Sequence, residues 1–162
     1  MGICLAKNQE DTQSDLLNLD SKQLKKLPRF LPKIEKGLCI DVYDGDTITV
    51  AAKLDNTLFK FSVRVLGVDT PEMKGKSEAE KKAAHRARDF VKSLVLNKVV
   101  FLRNHVREKY GRVCASVILE DGRDLSEILI QQKHGVPYGG GTKIAFVSRI
   151  ARRPGTPRKF FA

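Results

Sequence analysis

The chain has 162 residues, a length that suits one domain with short tails. Hydrophobic residues make up 41% of it, so most of the chain should fold, and no apolar run of about 18 residues indicates a membrane span. The formal net charge of +11 favours polyanionic partners, either nucleic acid or an anionic membrane surface. A basic surface that serves only solubility remains the alternative.

The three cysteines are Cys4, Cys39 and Cys114. An odd number, without a cationic and then apolar leader, argues against a disulfide framework and against a secretion signal. We therefore expect an intracellular protein. Cys39 and Cys114 lie in apolar stretches and are predicted to be small core residues.

Residues 1–35 are predicted to form a flexible N-terminal extension, because a polar stretch is followed by leucines and two prolines. Gly2 occupies the position that N-myristoylation requires, although the usual pattern has Ser or Thr where this chain has Ala6. Cys4 could accept a palmitoyl group beside it. Two acyl chains would anchor the protein at the cytoplasmic face of a membrane, whereas one would bind marginally. An ordinary Met-Gly start is the alternative.

A domain is predicted over residues 36–147, and its first part alternates in the manner of β-strands. The turn signals Asp44-Gly45-Asp46 and Asp55-Asn56 separate three strands, predicted at residues 38–43, 47–54 and 59–66.

A helix is predicted to follow, because Ser77 and Glu80 form a capping box. It should run to about Leu96. Its apolar face is predicted from the helical spacing of Ala83, Ala87, Phe90, Val91, Leu94 and Val95.

The second part of the domain is predicted to contain two strands and a further helix. The strands are residues 99–102 and 113–119, joined by a loop, and the helix is residues 125–133, ended by Gly135. This order predicts an α+β, mainly β fold, a five-stranded OB-type Greek-key barrel with two helices and room for a third. A generic meander would also fit the first three strands.

The C-terminal tail, residues 148–162, is basic and has no acidic residue. It is either a solvated tail or an arm that binds phosphate or lipid. Its basic side chains are Arg149, Arg152, Arg153, Arg158 and Lys159.

Polar residues concentrate in three segments at predicted strand ends. Asp46 and Asp69 supply paired carboxylates, and an oxygen-only donor set favours Ca²⁺ or Mg²⁺ over Zn²⁺. Arg64 and Arg112 supply guanidinium forks that match phosphate geometry, and Glu72 could hold and deprotonate a water molecule. Each segment alone could be an ordinary turn or strand end, but together they predict a metal-dependent phosphodiesterase.

The three segments resemble the staphylococcal nuclease (thermonuclease) family over about residues 37–135. The motifs that carry the resemblance are Asp44-Gly45-Asp46-Thr47, Val63-Arg64-Val65-Leu66-Gly67-Val68-Asp69-Thr70-Pro71-Glu72 and Glu108-Lys109-Tyr110-Gly111-Arg112. The resemblance implies an OB-fold endonuclease that uses one Ca²⁺ ion. It further implies that DNA and RNA are cut to leave 3′-phosphate and 5′-hydroxyl ends.

The resemblance also implies roles for individual residues. Asp46, Asp69 and the backbone carbonyl of Thr70 would bind the metal. The catalytic set would be Arg64, Glu72 and Arg112. The substrate would contact Lys109 and Tyr110.

This chain departs from the family pattern near its end. The family has two tyrosines after the second helix, whereas this chain offers Tyr138 before three glycines. Tyr138 either stacks on a base or packs against the barrel.

Two rival hypotheses remain open. The chain could be a catalytically weak OB module that binds nucleic acid or protein, or a membrane-surface protein in which the basic tails matter most. For the leading hypothesis we expect a monomer.

Overall fold

The computed structural model describes residues 20–26, 30–75, 77–107 and 112–139. Gly2, Cys4 and the basic tail therefore lie outside the described residues. By its internal contacts the chain divides into two units, residues 1–30 and residues 31–162. In the first unit the described residues form one short helix, α1 (Ser21–Lys26). No helix among the described residues is long and apolar enough to cross a bilayer.

In the second unit the described residues form a barrel with two helices, which confirms the predicted α+β, OB-type fold. Its strands follow the order β1-β2-β3-β6-β5 and close on themselves; β3 and β6 are parallel, and the other neighbours are antiparallel. The described elements are β1 (Lys36–Asp44), β2 (Thr47–Leu54), β3 (Thr57–Val65), β4 (Gly67–Asp69), α2 (Glu78–Val95), β5 (Val99–Arg107), β6 (Val113–Ile118), α3 (Leu125–Gln131) and β7 (Val136–Tyr138).

The barrel core is built from every second residue of each strand, as a pleated strand requires. The inward side chains are mostly branched aliphatic residues, which favour strands and pack well on a pleated surface. They include Cys39, Ile48, Val50, Val63, Val65, Val100 and Val117, all at most 1% exposed. Burial raises the pKa of the Cys39 thiol to about 11, so Cys39 behaves as the predicted core residue, and Cys114 is also buried.

Helix α2 begins as predicted, because the Ser77 hydroxyl accepts a hydrogen bond from the Glu80 backbone N–H at 3.2 Å. Its buried face consists of Ala84, Ala87, Val91 and Val95. Ala84 therefore replaces Ala83 in the predicted face, a shift of one residue that keeps the helical period.

Strand β5 is longer than predicted. It continues to Arg107 instead of ending near Leu102, because a register shift between Arg103 and Val106 lets the strand absorb an extra residue. Asn104, predicted to start a loop, adopts φ +53° within the strand.

Helix α3 ends differently from the prediction, because Lys133 rather than Gly135 takes the left-handed conformation, with φ +59°. Gly135 is buried, and a Cβ there would approach Val68 Cγ2 to 2.4 Å. The absence of a side chain at Gly135 therefore lets Val68 of β4 pack closely against this segment.

The barrel unit includes residues 31–35, which the prediction placed in the extension. Ile34 is 2% exposed in the core, and the Leu102 backbone N–H donates to the Glu35 carbonyl at 2.8 Å. His105 also contacts this segment, since its Nε2 lies 2.8 Å from the Ile34 carbonyl oxygen.

His134 should make the stability of the fold depend on pH. Its ring stacks on Phe90, with centroids 4.5 Å apart, and burial, followed by the charge of Arg86, lowers its pKa below 6.5. The unfolded chain then binds a proton more readily than the folded chain, so stability falls as pH drops through about 6.5. We expect His134→Phe, which keeps the stacking, to flatten the pH dependence of the urea midpoint between about pH 7.5 and 5.5.

His85→Gln, on the exposed side of α2, is the matched control and should leave the slope unchanged. An unaltered slope in His134→Phe would show that this histidine does not titrate differently in the two states.

Candidate functional site

Two carboxylates and one guanidinium are buried together at the edge of the barrel. Asp46, Arg64 and Asp69 are 2%, 8% and 3% exposed. Charged residues are almost never this deeply buried unless they are paired. This cluster is therefore the first candidate for a functional site.

The strands explain why these side chains meet. Val63 and Val65 point into the core, so Arg64 between them points out of the barrel. The register of β2 and β3 pairs Thr47 with Arg64, which places Asp46 beside the arginine. Asp69 ends β4, which follows β3 almost directly.

The loop that carries Asp46 is held tightly. The Val65 backbone N–H donates to the Asp46 carbonyl at 2.8 Å, and the Thr70 backbone N–H donates to Asp46 Oδ2 at 3.2 Å. A Cβ on Gly45 would lie 2.9 Å from the Thr70 side chain. Only glycine therefore allows the Asp44-Gly45-Asp46 turn to approach the Asp69-Thr70 segment this closely.

Arg64 bridges the two acids. Its Nη1 donates to Asp46 Oδ1 at 2.8 Å, and its Nη2 donates to Asp69 Oδ1 at 3.2 Å. The Thr47 hydroxyl also donates to Asp46 Oδ1, at 3.1 Å. Two carboxylates and one guanidinium leave a formal charge of −1 in the cluster, which favours a cation nearby.

A small second sheet covers this cluster. Strands β4 and β7 pair through Gly67 with Tyr138 and through Asp69 with Val136. The Tyr138 ring centre lies 5.9 Å from Arg64 Cζ, within the range of a cation–π contact. The sequence did not predict β4 and β7, because each has three residues, too few to show an alternation.

Glu72 and Arg112 are close to the cluster along the chain and across the strands, respectively. Glu72 is exposed, three residues after Asp69, and its carbonyl accepts from the Gly75 backbone N–H at 2.9 Å. Arg112 is half-buried and precedes β6, two residues before Cys114, which is the register partner of Arg64.

The structure therefore brings together Asp46, Arg64, Asp69, Thr70 and Tyr138. Lys109 and Tyr110 lie outside the described residues, and the roles predicted for all these side chains stay predictions.

The donors fit a hard cation rather than a transition metal. Asp46 and Asp69 carboxylates and the Thr70 carbonyl are all oxygen donors, and the cluster keeps a negative charge. No group of three or more His, Cys, Asp or Glu residues that could hold a metal occurs in the described part of the chain. Since Ca²⁺ takes six to eight oxygens, water or substrate oxygens would complete the coordination.

Comparison with known proteins shows what part of this chain is similar to. Residues 62–137, from β3 to β7, match the family model described as staphylococcal nuclease homologue. This segment is therefore similar to staphylococcal nuclease homologues, and we call the barrel unit that contains it the nuclease-like domain. The matched segment includes Arg64, Asp69, Glu72, Arg112 and Tyr138, while Asp46 precedes the matched range.

This chain also resembles a curated protein of Escherichia coli named "Uncharacterized endonuclease". The two are 28% identical over 95 residues, which cover 59% of this chain and 56% of the relative. A protein of the same name from Escherichia coli O157:H7 matches with the same identity and coverage. The match therefore spans little more than half the length of these relatives.

Arg64→Met should destabilise the nuclease-like domain in metal-free buffer. It would leave Asp46 and Asp69 buried without the guanidinium that lies between them, and breaking a buried ion pair in this way costs about 3–5 kcal/mol. Urea denaturation at neutral pH in EDTA measures the free energy of unfolding.

Arg123→Met is the matched control, because its ion pair with Asp121 is exposed and should contribute little. Adding Asp46→Asn and Asp69→Asn to Arg64→Met should restore part of the lost free energy of unfolding, because no unpaired carboxylate then stays buried. An equal loss of free energy of unfolding in the Arg64 and Arg123 variants would show that the buried cluster does not stabilise the fold more than an exposed ion pair does.

Proposed function

We propose that this protein is a Ca²⁺-dependent endonuclease that hydrolyses phosphodiester bonds of DNA and RNA, leaving 3′-phosphate and 5′-hydroxyl ends. The observation that carries the proposal is the burial of Arg64 between Asp46 and Asp69. Two further findings support it: the match of residues 62–137 to staphylococcal nuclease homologues, and the endonuclease name of the curated relatives.

Asp46, Asp69 and the Thr70 carbonyl would hold the Ca²⁺ ion. A bound Ca²⁺ ion would supply Lewis acidity toward a phosphoryl oxygen and lower the pKa of a water molecule. The contacts of Asp46 with Arg64, Thr47 and the Thr70 N–H fix its carboxylate orientation in advance. Such preorganisation lowers the cost of assembling the site around substrate.

Arg64 and Arg112 would neutralise the phosphate that is cut. A guanidinium presents five N–H donors in a planar fork, so Arg64 can keep its contacts with two carboxylates while it faces a phosphoryl oxygen. Its orientation is restrained on two sides by the acids and on its face by Tyr138. Arg112, at the start of β6, would bind the phosphate from the neighbouring strand.

Glu72 would act as the general base. Glu72 is exposed and lies three residues after Asp69, and its carboxylate would accept a proton from the attacking water. The water oxygen then forms a bond to phosphorus, the bond from phosphorus to the 5′ oxygen breaks, and the 5′ oxygen takes up a proton from solvent, to which Glu72 later releases its own. The phosphate remains on the 3′ oxygen, which gives the proposed ends.

Substrate contacts would come from the residues around this centre. Tyr138 lies beside Arg64 and can present its ring to a base next to the cut phosphate. Lys109 and Tyr110 are proposed to contact the phosphate and the nucleotide from the segment before Arg112.

A binding module without catalysis is the competing function. Such a module requires only basic and stacking surface, and it gains nothing from two carboxylates buried beside an arginine. The buried acids would also repel phosphate in the absence of a cation. We therefore favour the enzyme.

Glu72→Gln should lower the cleavage rate by about 10²–10⁴-fold, because a general base typically contributes that much. The melting temperature should stay unchanged, since Glu72 is exposed. Cleavage of end-labelled single- and double-stranded DNA and RNA is measured with millimolar Ca²⁺ and with EDTA. The 5′-hydroxyl ends are detected by kinase labelling without prior phosphatase treatment.

Glu127→Gln, an exposed glutamate of α3, is the matched control and should cleave at the wild-type rate. Full activity of Glu72→Gln, or cleavage that persists in EDTA, would refute the mechanism. Salt-sensitive binding without cleavage at millimolar Ca²⁺ would favour the binding module.

A further inference from the structure

One row of outward side chains on β3 leads directly away from the Arg64 cluster. Val63 is buried in the core, so the alternation of the strand places Lys60, Ser62 and Arg64 on its outer side. Lys60 and Ser62 are both exposed. Lys60 lies four residues before Arg64, a distance of about 13 Å along a strand.

The neighbouring strand β2 supplies small, uncharged side chains beside this row. Across the β2–β3 ladder Ser62 pairs with Thr49, and Lys60 pairs with Ala51. Thr49 and Ala51 are half-buried. Their small size leaves room above the sheet for a chain that lies between Arg64 and Lys60. We call Thr49, Ala51, Lys60 and Ser62 the β2–β3 track.

The charges that border the β2–β3 track differ in sign from side to side. On the β6 side, Arg112 lies level with Ser62, because the residues that follow these two are register partners. On the β1 side, the register partner of Thr49 is the exposed Asp41, and Asp55 is exposed in the turn between β2 and β3. These acids disfavour a phosphate over β1 or over the turn, so a polyanion is bound most favourably along β3.

The second sheet covers the opposite end of the row. Strand β4 follows β3 after Leu66 and pairs with β7, which places the Tyr138 ring 5.9 Å from Arg64 Cζ. A chain held at Arg64 therefore has more room over Ser62 and Lys60 than over the second sheet. Among the described side chains Lys60 has no ion pair, so its ammonium group can bind an external anion.

We propose that the β2–β3 track binds the sugar–phosphate backbone of the nucleic-acid strand that is cut, with Lys60 contacting a phosphate several nucleotides from the cut. The proposal rests on the proposed function, because it starts from a phosphate held at Arg64. The ammonium group of lysine is a compact charge that suits backbone contacts and reads no base. A stacked strand advances about 3.4 Å per nucleotide, so about 13 Å corresponds to about four nucleotides.

The β2–β3 track should make binding depend on the length of the substrate. A dinucleotide has one phosphodiester phosphate, and a phosphate held at Arg64 leaves none for Lys60. An oligonucleotide of about twelve nucleotides is long enough to contact both residues. One phosphate contact to a single strand contributes about 0.7 to the slope of log K against log salt, which is about fivefold in affinity at about 0.1 M salt.

The test compares Lys60→Gln with the wild-type protein in a binding assay and a cleavage assay. Fluorescence anisotropy in EDTA, with an end-labelled oligonucleotide of about twelve nucleotides, should show about fivefold weaker binding and a salt slope lower by about 0.7. In millimolar Ca²⁺, KM for this oligonucleotide should rise about fivefold with kcat unchanged, because Lys60 does not touch the reacting atoms. Neither constant should change for the dinucleotide.

Two further variants are controls for the charge. Lys98 is also an exposed lysine beside a barrel strand, but it lines a cavity together with Glu120 and Asp121, so it should not bind phosphate. Lys98→Gln should therefore keep the wild-type salt slope and KM. Lys60→Arg keeps the positive charge and should retain wild-type affinity. Unchanged melting temperatures show that each variant is folded.

Three results would overturn the proposal. The first is an unchanged salt slope in folded Lys60→Gln. The second is an equal loss of affinity in Lys98→Gln, which would show that net charge alone acts. The third is a loss of affinity in Arg103→Gln, an exposed cation on β5, without a loss in Lys60→Gln, which would place the substrate strand across β5 and β6.

Failure of the proposed function gives a different result from failure of the β2–β3 track. Wild-type protein that binds the oligonucleotide through Lys60 and cuts nothing in Ca²⁺ would refute the enzyme and support the track. Wild-type protein that cuts, beside a Lys60→Gln variant with wild-type KM and salt slope, would support the enzyme and refute the track.

Discussion

The interaction on which the site depends is the double ion pair of Arg64 with Asp46 and Asp69. Removing three charges from water is costly, and close, well-oriented contacts must offset that cost. Those contacts require the β2–β3 register, the short β4 strand and the Gly45 turn, which together set the positions of the three side chains. A cluster with one excess negative charge is poorly matched to a nearby phosphate on its own. A divalent cation would reverse that sign and allow Arg64 to act on the phosphate.

In the barrel strands, residues that point inward form the core, and alternate residues that point outward can contribute to the candidate site. Inward positions are filled by aliphatic residues such as Val50, Val63 and Val117, which exclude water and form the core. Outward positions are available for other tasks. On β3 the same outward row holds Arg64 at one end and Lys60 and Leu58 at the other. The outward residues of one strand can therefore contribute to the candidate site while its inward residues form the core.

Local rules predicted the elements that are long enough to show a period or a cap. The alternation before Arg64 and the capping box at Ser77 belong to this group. The rules failed where tertiary contacts determine the local structure. Position 135 requires glycine because Val68 packs against it, and β5 extends beyond its predicted end because a bulge lets it stay paired with β6. The candidate site residues were predicted from carboxylates and arginines at strand ends, and the family resemblance suggested their roles. The burial of Arg64 between two acids could not be predicted, because it depends on β4 and β7.

Calcium titration by calorimetry tests the central claim, that the Asp46–Arg64–Asp69 cluster is a metal site, most directly and without any cleavage assay. We expect the wild-type protein to bind one Ca²⁺ ion per chain. We expect Asp69→Asn to remove this binding and Asp121→Asn, at an exposed ion pair, to retain it. Binding that survives in a folded Asp69→Asn variant, or no calcium binding to wild-type protein, would show that the cluster is not a metal site.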